Sequence, residues 1–252
     1  MKEMKNIIFK EKLKMLRKIL TLLMSLELIL TITACGSGTT TIKVTNEDGS
    51  TQNVVLESLK PQLQNVTPII DYAGNTSIDQ MDYVTFGLDE NSQPIEWIVL
   101  EKSNNRALLL SKYLLTTHSY NDNYADITWE NCTMRKWLNS EYINTIFSMK
   151  EQDSILTTDV INNDNAKYGT KGGNNTKDKL FLLSIDEVNK YLGTGAQRVA
   201  TYKGGGSNGW WLRSPGRIQD FAAGVGRNGY LNDFGARVYD AYGVRPALWV
   251  KY

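Results

Sequence analysis

The sequence predicts an exported α+β domain made of mixed short strands with two or three helices and a loop-rich C-terminal face. Three observations carry this. An apolar run sits behind a basic flank at the N-terminus, short β-prone runs from residue 81 onward are interrupted by two stretches of helical spacing, and the last forty residues are punctuated by glycine. The composition is that of a globular protein: 252 residues, 41% hydrophobic and 22% charged, with five prolines.

Met1 to Ala34 contains seven basic residues and three acidic ones, leaving 21 basic and 24 acidic residues in the remainder, a net charge of −3. Nucleic-acid binders neutralise phosphates with clustered Lys and Arg, so a mildly acidic body points away from nucleic acid as a partner. The apolar stretch from Ile19 to Ile32 follows Lys14, Arg17 and Lys18 and is interrupted by Glu27. It has the layout of a secretory signal peptide and is too short for a membrane-spanning helix, which needs about twenty apolar residues. Met15 already provides a sufficient basic region and is an alternative start to Met1.

Ile32-Thr33-Ala34-Cys35 resembles a bacterial lipobox, with Gly36-Ser37-Gly38 as the tether behind it. The chain is therefore expected to carry a lipoprotein signal peptide over residues 1–34 and a lipidated N-terminus with a flexible tether over 35–78. Residues 79–252 follow as the folded domain. The alternative is an ordinary secretory cleavage site with a chance cysteine. With Cys35 acylated, two or more acyl chains would hold the protein at the extracellular face of the cell membrane. Only Cys132 then remains, so no intramolecular disulfide is expected, and Cys132 reads as a small buried residue.

Within the polar tether, Thr41 to Val44 is the one expected short strand. Tyr83 to Gly87, Ile95 to Leu100 and Ala107 to Ser111 form a strand meander. Apolar residues at 134, 137, 138, 142, 143, 146 and 147 have the spacing of an amphipathic helix, with a break at Asn139-Ser140. Lys179 to Leu183 reads as a buried strand. A second helix opens at Ser184, whose side chain can cap the amide of Glu187 while Glu187 reaches back. Polar loops are expected at 162–179 and 203–209.

After Trp210 to Gly216 the chain changes character. Glycines recur at 216, 224, 226, 229, 235 and 243, and Val225, Leu231, Val238 and Val244 stand six or seven residues apart. Asn228-Gly229 between Val225 and Leu231 is a hairpin signal. The pattern predicts brief strands, each pinned by one inward residue, with Arg, Asp, Asn, Phe and Tyr displayed on the turns. A plain glycine-rich sheet edge with solvated turns fits the same pattern.

Trp210 to Gly216 and Gly243 to Trp249 recur with Ile95-Glu96-Trp97, Thr128-Trp129-Glu130, Arg135 to Asn139 and Lys179 to Ser184. Together they resemble an uncharacterised domain family of exported gut-bacterial proteins. That family is similar to the formylglycine-generating-enzyme branch of the C-type lectin fold, and it includes variable proteins of diversity-generating retroelements. The resemblance spans residues 80 to 250. It implies a C-type lectin-like fold and a variable region at about 216–243, and the catalytic constellations missing from the chain make the expected protein non-enzymatic. It also implies a binding face for a protein or glycan made of Arg217, Ile218, Gln219, Asp220, Phe221, Arg227, Asn228, Tyr230, Asn232, Asp233, Phe234, Arg237, Tyr239, Asp240 and Tyr242. Trp210, Trp211, Leu212, Val225, Val238, Val244, Leu248 and Trp249 would be the scaffold beneath. Arg213 and Arg245 would make structural contacts rather than ligand contacts.

Residue usage bears on the variable-protein reading. Asn template codons end in a pyrimidine, so randomising their first two bases cannot yield Lys, Glu, Gln, Met or Trp. Lys, Glu, Met and Trp make up 44 of the 252 residues, yet Gly216 to Gly243 contains none of them. Composition alone would place about five in such a window. The window also has three arginines and no lysine, and Gln219 is its one residue that does not fit.

The familiar chemistries lack their constellations. Formylglycine-generating enzymes hold copper with a cysteine pair, which the exported chain does not offer. The single histidine, His118, has no visible triad or zinc partners. Neither the Glu-Pro-Asn nor the Gln-Pro-Asp loop of calcium lectins occurs, Asn162 to Asn165 fails the EF-hand spacing, and Gly204 to Gly206 lacks the lysine of a phosphate loop. No cofactor or metal is expected. The rival readings are a fixed adhesion or envelope-scaffold module, and a cell-envelope enzyme using carboxylates such as Asp220 and Asp233.

Overall fold

The computed structural model describes residues 82–252 in full and the backbone of three strands before them: β1 (Ile29–Ala34), β2 (Thr40–Thr45) and β3 (Thr51–Leu56). These three form an antiparallel meander in the order β1-β2-β3, and β2 contains the strand expected at Thr41 to Val44. The remainder of the expected signal peptide, the lipidation site Cys35 and residues 57–81 lie outside the described residues. The chain divides into two units, residues 1–59 and 60–252.

The second unit is mostly β. Its first sheet begins with β4 (Tyr83–Leu88), β5 (Pro94–Ser103) and β6 (Arg106–Ser111), the meander expected from sequence. Asn104 and Asn105 turn β5 into β6 with φ of 51° and 56°, the paired left-handed conformation that a two-residue hairpin demands and asparagine tolerates. The C-terminal strand β16 (Pro246–Lys251) inserts beside β6. The short strands β8 (Ile155–Leu156) and β11 (Phe181–Leu182) both pair with it.

The second sheet is β14-β13-β12-β15-β7, comprising β7 (Thr116–Ser119), β12 (Trp210–Pro215), β13 (Phe221–Val225), β14 (Leu231–Arg237) and β15 (Ala241–Val244). All its pairings are antiparallel except β12 with β15. A separate two-stranded ribbon joins β9 (Thr158–Val160) to β10 (Thr176–Asp178).

All six residues of β12 are buried, and they carry much of the core. The indole N–H groups of the core tryptophans all find backbone or carboxylate acceptors: Trp97 on Phe86, Trp129 on Asp178, Trp210 on Arg198 and Trp211 on His118. Each ring therefore buries its apolar surface without stranding a donor. Of the scaffold residues named from sequence, Trp210, Trp211, Leu212, Val225, Val238, Val244 and Leu248 are buried, and Trp249 is half-buried under Arg106.

Helices are short. α1 (Thr133–Trp137) starts at Cys132, whose buried sulfur accepts from the Arg135 amide at 3.4 Å. Burial pushes the Cys132 thiol up to about 12. No break occurs at Asn139-Ser140, where one was expected: the helix continues through a π-helical turn (Leu138–Tyr142) into α2 (Ile143–Ile146). Within that turn the Asn139 side-chain oxygen accepts from the Lys179 and Leu180 amides at 2.9 and 3.0 Å, which ties the turn to the segment entering β11. After α3 (Met149–Gln152), the helix expected at Ser184 is α4 (Ile185–Tyr191), with the capping box between Ser184 and Glu187 formed in both directions. α5 (Gly195–Arg198) is a single turn.

These findings correct the α+β, C-type lectin-like expectation. Strands hold 40% of the residues and helices 17%, and an antiparallel sheet curls as a half-barrel. The longest purely α-helical element among the described residues has seven residues, and the longest helical run, Thr133–Ile146, passes through the π-helical turn without a gap. The apolar periodicity over 134–147 is realised in the helical run 133–146, which buries Met134, Leu138, Tyr142, Ile143 and Ile146. The glycine-rich tract pairs instead into five-stranded β-structure. Among the described residues no helix is long and apolar enough to cross a membrane.

Candidate ligand-binding face

The site is built outward from β12. Arg213 is buried within that strand and donates to the Leu182 carbonyl at 2.7 Å, to the Ile161 carbonyl at 3.0 Å and through both terminal nitrogens to Glu187. One arginine thus clamps the helix start of α4, β11 and the entry to the 162–175 loop against the second sheet, a structural role as expected. Arg245 is also buried. Its Nε donates to the Ser111 carbonyl at 2.9 Å and its guanidinium carbon lies 4.9 Å from the Trp210 ring centroid, while burial pulls its pKa below the usual arginine range. Neither arginine reaches the surface.

Three polar segments meet at the exposed end of this sheet. In the 162–175 loop, the Asn165 amide donates to the carbonyls of Pro215 and Asp233, both at 2.9 Å, and Thr170 donates to the Arg217 carbonyl at 2.8 Å. The 121–127 segment after β7 joins through Gln219, whose side-chain amide donates to the Ile127 and Lys171 carbonyls at 3.0 Å each. The backbone of Ile127 donates back to Gln219. The third segment is the 216–220 turn itself. Two long loops are therefore pinned to the C-terminal strands by their own backbone partners.

Two ring clusters stand on this platform. In the first, Tyr124 meets Tyr239 edge to face with centroids 5.6 Å apart, and Arg237 donates to the Tyr239 hydroxyl at 2.9 Å. Asp122, Asn123, Tyr124, Arg237 and Tyr239 line an open cleft there. In the second, Phe234 packs against Tyr168 and Phe221 at 6.3 and 6.0 Å, with the Arg217 guanidinium 4.1 Å over its ring. The β13–β14 register sets Arg237 opposite Phe221, so the two clusters adjoin. Nine large hydrophobic side chains are exposed among the described residues; Tyr124, Tyr168, Ile218, Phe234 and Tyr239 are five of them, and all belong to this region.

The residues named from sequence divide accordingly. Arg217, Ile218, Phe234, Arg237 and Tyr239 are exposed here, and Phe221 is half-buried between the clusters. Arg227, Asn228 and Tyr230 are exposed at the β13–β14 turn, at the far end of those strands. That turn is the expected hairpin, with Val225 opposite Leu231. Gly229 adopts φ +78° within it, where a Cβ would meet the Gly195 carbonyl oxygen at 1.9 Å. Asn232 turns inward to Gly235, and Asp240 is half-buried.

Four residues sit differently from the expectation that they are displayed. Asp220 is buried, and its carboxylate beside the Tyr124 hydroxyl raises the phenol above its ordinary pKa. Asp233 is ion-paired with Lys167 at 3.0 Å, which raises the lysine. Gln219 is spent on the two loops. Tyr242 is half-buried, with its ring 4.6 Å from that of Trp211. Asp122, Asn123, Tyr124, Lys167 and Tyr168 were missed. Pairing of Tyr242 with His118 across β15 and β7 is what brings 121–124 to the site, a juxtaposition that spans more than a hundred residues of sequence.

Among the described residues no group of three or more His, Cys, Asp or Glu could hold a metal ion. His118 stacks on Trp137 at 4.5 Å and its Nδ1 lies 2.8 Å from the Ser119 carbonyl. The family model described as Domain of unknown function (DUF6273) matches residues 104–252. The chain belongs to this family. The match takes in β6 through β16 and with them every residue of the face, so the face lies within the domain that defines DUF6273. No curated protein and no solved structure matches the chain.

Proposed function

We propose that this protein is a lipid-anchored, non-enzymatic surface protein that binds a protein or glycan ligand through the face formed by Arg217, Phe234, Arg237 and Tyr239 with Tyr124 and Tyr168. The observation that carries the reading is the concentration of exposed rings in two adjoining clusters on a platform pinned by the hydrogen bonds of Asn165, Thr170 and Gln219. Exposed apolar side chains scattered singly need no explanation, whereas a contiguous group with arginines among the rings has the composition of binding hot spots. Asp220 and Asp233, the carboxylates an envelope enzyme would use, are engaged with Tyr124 and Lys167, which favours binding over catalysis. Anchoring through Cys35 rests on the lipobox alone; Cys35→Ser should release the protein from membranes, and unchanged detergent partitioning would refute the anchor.

Binding is tested by screening the full chain on glycan and protein arrays. Saturable binding to a restricted set of ligands is expected, and its absence on both arrays overturns the reading.

Diversification of residues 216–243 is the finer reading, supported by the missing Lys, Glu, Met and Trp and by the display of Arg217, Ile218, Tyr230, Phe234, Arg237 and Tyr239 within the window. Sequencing codons 213–246 across a source population should show substitutions confined to positions where a nearby repeat carries adenine. A uniform tract without such a repeat leaves a fixed adhesion or scaffold module.

A further inference from the structure

The charges on this face are not used symmetrically. Asp233 is neutralised by Lys167, Asp220 is buried against Tyr124, and Asp122 accepts from the Ser119 hydroxyl at 3.0 Å. Lys171 is paired with Asp164 at 2.7 Å. Arg217 and Arg237 are exposed, and neither has a carboxylate within ion-pair distance among the described residues. Asp240 acts on Arg237 only through space. Both guanidinium groups are instead held by aromatic side chains, Arg217 over Phe234 and Arg237 on the Tyr239 hydroxyl. Phe221 stands between them, 5.5 Å from Arg217 and opposite Arg237 in the register.

A guanidinium lying on a ring loses little side-chain entropy when a ligand arrives and still presents the in-plane N–H groups that bind a carboxylate in two-pronged fashion. Because acids and bases on the face nearly balance, attraction is local to these two groups rather than long-range.

We infer that the ligand is an acidic polysaccharide whose carboxylates are taken by Arg217 and Arg237, an inference that rests on the binding role proposed above. Sugar rings offer C–H faces to Tyr124 and Tyr239. They also bring hydroxyl donors for Asp122 and hydroxyl partners for Asn123, which share the cleft with Arg237. An acidic peptide presents far fewer hydroxyl groups per carboxylate and no C–H ring faces to the tyrosines beside Asp122.

The test measures binding of the full chain to alginate, hyaluronan and polygalacturonate, each beside its carboxyl methyl ester, with poly-L-glutamate as the peptide polyanion. At least one polysaccharide should bind, with binding about tenfold weaker for its ester and about tenfold weaker again in Arg217→Gln or Arg237→Gln. The melting temperature of both variants should stay at the wild-type value, because the side chains are exposed. Equal binding of acid and ester, or unchanged binding by both variants, overturns the inference while leaving a binding face in place. Equal or tighter binding of poly-L-glutamate overturns the choice of polysaccharide, as does failure of all three polysaccharides. Failure of the binding role itself would be seen separately, as no saturable ligand on either array.

Discussion

The guanidinium of Arg217 lies 4.1 Å over the ring of Phe234 and 5.5 Å from that of Phe221. Since Phe234 is exposed, its ring contributes little to the core, and its work is to hold the arginine flat. Phe234→Ala should therefore change stability by no more than about 0.5 kcal/mol in chemical denaturation while weakening ligand binding about tenfold.

Tyr242 should behave in the opposite way. It was expected among the displayed rings, yet it packs 4.6 Å from Trp211, and Gly209 passes within contact of its ring. Tyr242→Ala should cost about 2 kcal/mol through lost packing, measured by thermal or urea unfolding, with any loss of binding following from misfolding. Tyr239→Ala, by contrast, should leave the unfolding transition in place.

Glu187 serves two structures at once. It closes the capping box of α4 and neutralises the buried Arg213. Removing it would leave a buried guanidinium without its carboxylate, so Glu187→Ala should destabilise the domain by about 3 kcal/mol. Glu187→Gln, which keeps the cap geometry but not the charge, should fall between that variant and wild type in urea unfolding.

Glu101 gives the fold a measurable acid dependence. Burial alone would raise its pKa, but hydrogen bonds from Tyr191 and Lys190 outweigh this and hold the carboxyl below its ordinary value of 4.5. A lowered carboxylate contributes stability that is fully present above 4.5 and lost as pH falls through the folded-state value. Wild type should be more stable than Glu101→Gln at pH 7, and the difference should shrink as the pH drops below 4.5. The contribution is modest because Glu101 and Lys190 are partly exposed.

What could be read from sequence was local. The β4–β5–β6 meander, the Ser184–Glu187 capping box, the Asn228-Gly229 hairpin and the buried Trp210 to Leu212 segment each announce themselves within a few residues. The overall class could not be read that way. Helical spacing over 134–147 marks a helix that is indeed formed but says nothing of how much strand surrounds it, and Phe221 to Gly243 yields its pairing only once β12 is in place beside β13 and β15. The face was half legible for the same reason. Arg217, Phe234, Arg237 and Tyr239 lie in the glycine-rich tract, where display on turns was expected. Tyr124 and Tyr168 arrive from loops placed by the β7–β15 pairing and by Asn165, whose bonds to Pro215 and Asp233 span fifty residues or more. Asp220 and Tyr242 look like their displayed neighbours in sequence and differ only in which way the strands turn them.

The central claim is that the clustered rings form the binding face. It is tested most directly by comparing the full-length protein with a Tyr124→Ala, Phe234→Ala, Tyr239→Ala triple variant on the ligand found by array, with the melting temperature measured in parallel. Binding should fall by about a hundredfold or more while the melting temperature stays within about 2 °C of wild type. A variant that is folded and binds as tightly as wild type would contradict the account.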